Sequence, residues 1–94
     1  MPLLFETIRL LVSTGRYLIG QHAAERLDER GILEWQIVDG IEEGRLVSER
    51  PHDLPNPAVE VEQALADGTQ VKAVWSHIAR ANLAKLVTVH FFDE

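Results

Sequence analysis

The sequence predicts an α+β domain in which helices lead and a mainly antiparallel sheet follows, and three observations predict it. Apolar residues recur at helical intervals through the first 44 positions, punctuated by Gly15, Gly31 and Gly44. From Arg45 the chain turns to β-branched runs separated by a proline-rich loop and an Asp-Gly pair. The third is size: 94 residues with 46% hydrophobic content bury roughly 60–65% of the unfolded chain's surface, so residues 1–94 are expected to fold as one unit.

Taken in order, Leu4, Ile8 and Leu11 mark an amphipathic helix over residues 2–13, stopped by Ser13, Thr14 and Gly15. "RYLIG" reads as a short strand. A second helix runs from His22 to Arg30, with Gly31 as its left-handed C-terminal cap. Leu33, Ile37, Val38 and Ile41 carry a third helix, closed by Gly44 but without a good N-cap residue. "RLVSE" begins the sheet, and the three prolines of "PHDLPNP" forbid helix. In "AVEVEQALADGTQVKAVW" a two-residue turn at Asp67 and Gly68 sets Val61 opposite Val74 and Glu60 opposite Trp75. That register makes Val59, Val61, Leu65, Val74 and Ile78 the core side, with Glu60, Glu62, Ala73, Trp75 and His77 on the other. The closing strand "KLVTVHFF" alternates Val87, Val89 and Phe91 against Leu86, Thr88, His90 and Phe92.

Composition excludes several functions. The chain has no cysteine, which removes disulfides, thiolate zinc sites and a cysteine nucleophile and favours a reducing, cytoplasmic location. "LLFETIRLLV" is too short and too charged to span a bilayer, so no membrane association is expected. A net charge of −6 disfavours sequence-blind RNA binding without forbidding a local basic patch. No GxGxxG or Walker loop is present, and no cofactor is expected. Ser76 and His77 are adjacent on a strand and point to opposite faces, so they form no dyad. A metal held by His77, Glu60 and Glu62 is conceivable, but three scattered ligands do not make a motif, and no metal is expected.

The chemistry-bearing residues fall into two constellations. His22, Arg26 and Arg30 recur every fourth position and span about 80° of a helix beside Ala23, Ala24 and Leu27. They suit convergence on one anion, and equally a solvated edge on which Glu25, Asp28 and Glu29 neutralise the arginines. Trp75 and His77 among carboxylates suit a ligand surface, and equally a face that the first helix covers.

The combination of "HAAERLDERGI", "GIEEGR", "PNPAVEV", "LADGTQVKAVW" and "KLVTVHFF" resembles the domain-of-unknown-function 4258 family, from about Ile8 to Phe92. His22, Arg26, "RGI" at 30–32 and "LVTV" at 86–89 match its pattern, while His90 stands where tyrosine is usual. The order of short strand, helix pair and antiparallel sheet is also similar to the RelE and ParE toxins. That resemblance implies a ribonuclease, with His22, Arg26, Arg30, His77 and His90 as candidate catalytic residues and an antitoxin-like protein as partner. Arginines there would stabilise the phosphate transition state, and a histidine or glutamate would move the proton of the 2′-hydroxyl. The alternative is a non-catalytic module that pairs with a partner or with itself through the Trp75 face, the first helix or a sheet edge. Arg26→Ala, as an ordinary surface change, is expected to cost within about 0.5 kcal/mol.

Overall fold

Glycines with positive φ end the first two helices where the sequence places them. The computed structural model describes residues 3–92. Helix α1 (Leu3–Ser13) stops as Thr14 Oγ1 donates to the Leu10 carbonyl at 2.9 Å and Gly15 turns at φ +82°; the expected start at residue 2 lies outside the described residues. Helix α2 (Gln21–Arg30) ends at Gly31, whose φ of 67° and ψ of 28° are left-handed. Helix α3 (Glu34–Gly40) is shorter than the periodicity predicts, because its last turn tightens into a 3₁₀ turn over Ile41–Glu43. At its start, Gln36 Oε1 accepts the Leu33 backbone N–H at 3.3 Å, which supplies the capping contact that no residue before the helix provides.

The strands β1 (Tyr17–Ile19), β2 (Arg45–Arg50), β3 (Ala58–Ala64), β4 (Gln70–Ile78) and β5 (Leu83–Phe91) form one sheet in the order β1-β5-β4-β3-β2. Only β1 is parallel, pairing Tyr17–Ile19 with Ala84–Leu86. The class is α+β, as expected, with a mixed sheet.

All three helices lie on one face. Phe5, Ile8, Leu11 and Val12 of α1, Ala23 and Leu27 of α2, and Ile37 of α3 are buried against Val59, Val61, Val71, Ala73, Trp75, Leu86 and Val89. Each large aliphatic so buried stabilises the fold by about 1.5–3 kcal/mol. The stripe of Leu4, Ile8 and Leu11 is therefore spent inside the domain and does not motivate self-association; Leu3 and Leu10 are the exposed leucines of α1.

The register of the central hairpin differs from the expectation by one residue. Val61 pairs with Ala73 and Glu60 with Val74, which sets Val61 and Val74 on opposite faces. The cause is the loop. Gly68 N–H bonds to the Leu65 carbonyl at 2.9 Å and Leu65 N–H to the Thr69 carbonyl at 2.8 Å, while Gly68 sits at φ +90°. That is a turn followed by a glycine bulge rather than a two-residue primed turn. Strand β3 keeps its expected faces and β4 is flipped: Ala73, Trp75 and His77 face the helices, and Val74 and Ile78 face away. The reading in which helices cover Trp75 is the correct one, since Trp75 is fully buried. A bulge at Val87 likewise breaks the alternation of β5, so that Leu86 and Val89 are both buried while Val87 is exposed.

Gly44 has a steric reason. A Cβ there would stand 2.5 Å from Val61 Cγ1, a stiff branched side chain in the core. Gly44→Ala is expected to cost about 1–3 kcal/mol as overpacking, measurable as a lower urea midpoint; an unchanged midpoint would show that β2 shifts freely.

Candidate functional site

Helix α2 is tied to β5 through Gly20, the residue that precedes it. Gly20 N–H donates to the Leu86 carbonyl at 2.9 Å, and Ala24 N–H donates the first helical bond to the Gly20 carbonyl at 2.8 Å. Ala23 and Leu27 then face the core, so positions 22, 26 and 30 run along the edge of β5. Beyond Leu86 that edge has no strand partner, because β1 ends at Ile19. Arg26 takes the place of a strand there: its Nε donates to the Val89 carbonyl at 3.2 Å. Arg26 is thus no ordinary surface residue, and a charge-assisted bond of this kind contributes about 1.5–3 kcal/mol rather than half a kcal/mol.

The two halves of the expected cluster separate. Arg26 is brought beside His90 by its bond to the Val89 carbonyl, and the positive charges of Arg26 and His22 both act to lower the His90 pKa. Arg30 is exposed on α2, with its guanidinium 5.1 Å from the Phe91 ring centroid. His77 stands apart, opposite Ala84 near the far end of β4, whereas His90 is opposite Lys72. Its backbone N–H bonds to the Pro57 carbonyl at 2.9 Å, and its Nε2 is buried without a partner among the described residues. Glu60 and Glu62 project from the opposite face, so they share no ligand set with His77, and no grouping of metal-binding side chains occurs among the described residues.

His90 lies on the uncovered face of the sheet, beside the edge that Arg26 closes. Burial lowers its pKa first, followed by the positive charges of Arg26, Lys72 and His22. Lys72 was not singled out by sequence; only the register of β4 against β5 makes it the cross-strand neighbour of His90. Its Nζ is 3.5 Å from Glu60 Oε2 and 5.8 Å from the Phe92 ring centroid. Glu60 also receives Arg50 Nη2 and, at 3.4 Å, Ser48 Oγ, so the uncovered sheet face carries a network of paired charges. Thr88, on the same face as His90, has a buried hydroxyl with no partner among the described residues.

A lowered histidine pKa has a defined consequence for stability. The unfolded chain takes up the His90 proton first as pH falls through about 6.5, so stability is lost from there downward until the folded protein is protonated as well. Urea midpoints for the wild type are therefore expected to fall across that window more steeply than those of His90→Gln. Parallel curves for the two proteins would remove the coupling.

The sequence profile described as "Domain of unknown function (DUF4258)" matches residues 19–91, from the end of β1 to the end of β5. The chain belongs to that family. The match takes in α2 and β5, and hence His22, Arg26 and His90. No curated protein and no solved structure gives a significant match to the chain. No helix among the described residues is long and apolar enough to cross a membrane.

Proposed function

We propose that the α2–β5 edge binds the phosphodiester backbone of RNA and that the domain is a ribonuclease of the RelE and ParE type. The observation that carries this reading is the placement of two cations beside His90: Lys72 is its cross-strand neighbour, and Arg26 bonds to the carbonyl of the preceding residue, Val89. Cations gathered there suit a phosphate, and a depressed pKa keeps His90 neutral near pH 7, ready to accept a proton. In the reaction, the 2′-oxygen attacks phosphorus as its proton passes to His90, and the bond to the 5′-oxygen breaks. Arg26 and Lys72 offset the charge that develops on the phosphate oxygens. His22 is the second imidazole at this edge and returns a proton to the departing 5′-oxygen. The element order that resembles the toxins, a short strand, a helix pair and then antiparallel strands, supports the same reading.

The test is RNA binding across a salt series with the wild type and Lys72→Gln. Lys72→Gln is expected to weaken binding and reduce the slope of log affinity against log salt by about one. An unchanged slope, or a wild type that neither binds nor cleaves RNA, overturns the proposal.

A second reading, a non-catalytic module that docks a protein partner, draws on exposed apolar side chains at the start of α3: Leu33 is 58% and Trp35 53% exposed. The −6 net charge agrees with it because it repels a polyanion.

A further inference from the structure

The loop over residues 51–57 folds back beside the uncovered face of the sheet and encloses a pocket of about 190 Å³. Its floor is aliphatic, made of Ala58, Val74 and Val87 from three neighbouring strands. Val87 reaches it only because the β5 bulge turns that side chain away from the helices. The loop wall is tied down where Arg50, already paired with Glu60, lies 3.7 Å from Asp53 Oδ2. Leu54 and Pro55 add to the loop wall, and beside the Arg50–Asp53 pair three further polar groups line the pocket: the Ser76 hydroxyl, the Asn56 amide and the Lys85 ammonium.

Lys85 is the informative one. Its stem crosses Gly20, where a Cβ would stand 2.8 Å from Lys85 Cε, so the glycine leaves room for the lysine to lie at the pocket. Among the described residues Lys85 makes no ion pair, whereas Arg45, Arg50 and Lys72 on the same face are each matched to a carboxylate. An unmatched ammonium beside an apolar floor fits a ligand that has a negative group at one end and a flat or compact apolar body at the other. The amide of Asn56 and the hydroxyl of Ser76 both donate and accept, which suits a heteroaromatic edge better than a hydrocarbon one. The volume sets the size: it falls below the roughly 300–1,000 Å³ of sites that hold drug-sized molecules, and so favours one small ring.

We propose that this pocket binds a pyrimidine nucleotide, with the ring on Ala58, Val74 and Val87, its edge at Asn56 and Ser76, and its phosphate at Lys85. Lys85 and His90 lie on one strand, roughly 17 Å apart at about 3.3 Å per residue, so one single-stranded RNA can reach both. The source of the nucleotide as RNA rests on the function proposed above; recognition of the nucleotide itself does not.

The experiment follows the methyl resonances of Val74 and Val87 in the full chain on addition of uridine monophosphate, guanosine monophosphate or inorganic phosphate. Uridine monophosphate is expected to shift both residues saturably, and guanosine monophosphate to do so more weakly. Lys85→Gln should bind roughly tenfold more weakly through loss of one charge-assisted contact. Ala58→Leu, with its fold checked by circular dichroism, should fill the floor and abolish the shifts; Lys85→Gln carries the test alone if that variant does not fold. Methyls unmoved at millimolar uridine monophosphate, an equal response to inorganic phosphate, or undiminished binding by Lys85→Gln overturns the proposal. The two readings fail separately. An RNA oligomer that perturbs His90 but neither valine removes the pocket and keeps the α2–β5 edge, while saturable shifts in a protein without ribonuclease activity keep the pocket and remove the cleavage reaction.

Discussion

Trp75→Ala is expected to destabilise the domain by about 3–5 kcal/mol, a large share of the roughly 5–15 kcal/mol that holds a native protein together. The size follows from position. Trp75 is fully buried beneath the helices, and its indole N–H donates to Gln63 Oε1 at 3.0 Å. Gln63, itself 1% exposed, passes its amide on to the Ile37 carbonyl at 2.8 Å and so joins β4 to α3 through β3. Gln63→Leu keeps the volume but leaves the indole N–H and a helix carbonyl without partners, each costing about 1–3 kcal/mol. Trp75→Phe in that background relieves one of the two, so the double variant is expected to lose less than the sum of the single changes. Urea unfolding of the set decides it. Additive costs, or a loss below about 1 kcal/mol for Trp75→Ala, would mean that the polar chain through Gln63 does not couple the sheet to α3.

What was legible in the sequence and what was not divides along a physical line. Helix ends at Gly15 and Gly31 were readable because a positive φ demands glycine, a local requirement. The face of β4 was not, since it depends on whether Asp67-Gly68 closes as a two-residue turn or as a turn with a glycine bulge. Those two loops share a sequence and differ by one residue of register. The bulge at Val87 is equally silent: "LVTV" alternates perfectly well on paper, yet Leu86 and Val89 both enter the core. The same division runs through the candidate site. The four-residue spacing put His22 and Arg26 on one edge, and family resemblance drew attention to His90. Lys72 and the pocket under the 51–57 loop needed a register and a loop path, neither of which is a local property. Chemistry alone groups His77 with the others, and the sheet separates them.

His90→Gln is expected to lower RNA cleavage by about 10²–10⁴-fold, the usual contribution of a positioned general base, with RNA affinity nearly unchanged. Glutamine keeps a polar side chain of similar reach and cannot take up a proton near neutral pH, so the substitution separates proton transfer from binding. The pH profile gives an independent sign. A base whose pKa is lowered stays competent further into acid than an ordinary histidine, so wild-type cleavage should hold as pH falls below about 6.5 and decline only when His90 protonates. Lys72→Gln takes away one of the charges that depresses this pKa and should move the acid limb toward higher pH. A structural role for His90 predicts neither the affinity-independent loss nor the shifted limb; it predicts a fall in the urea midpoint that tracks activity at every pH. Arg26 is less suited to such a test, because its bond to the Val89 carbonyl ties α2 to the open edge of β5, and its removal alters the scaffold and the site together. A His90→Gln protein that folds normally and cleaves at the wild-type rate would leave the convergence of charges at this edge as a structural feature alone and pass the functional weight to the exposed Leu33 and Trp35 surface.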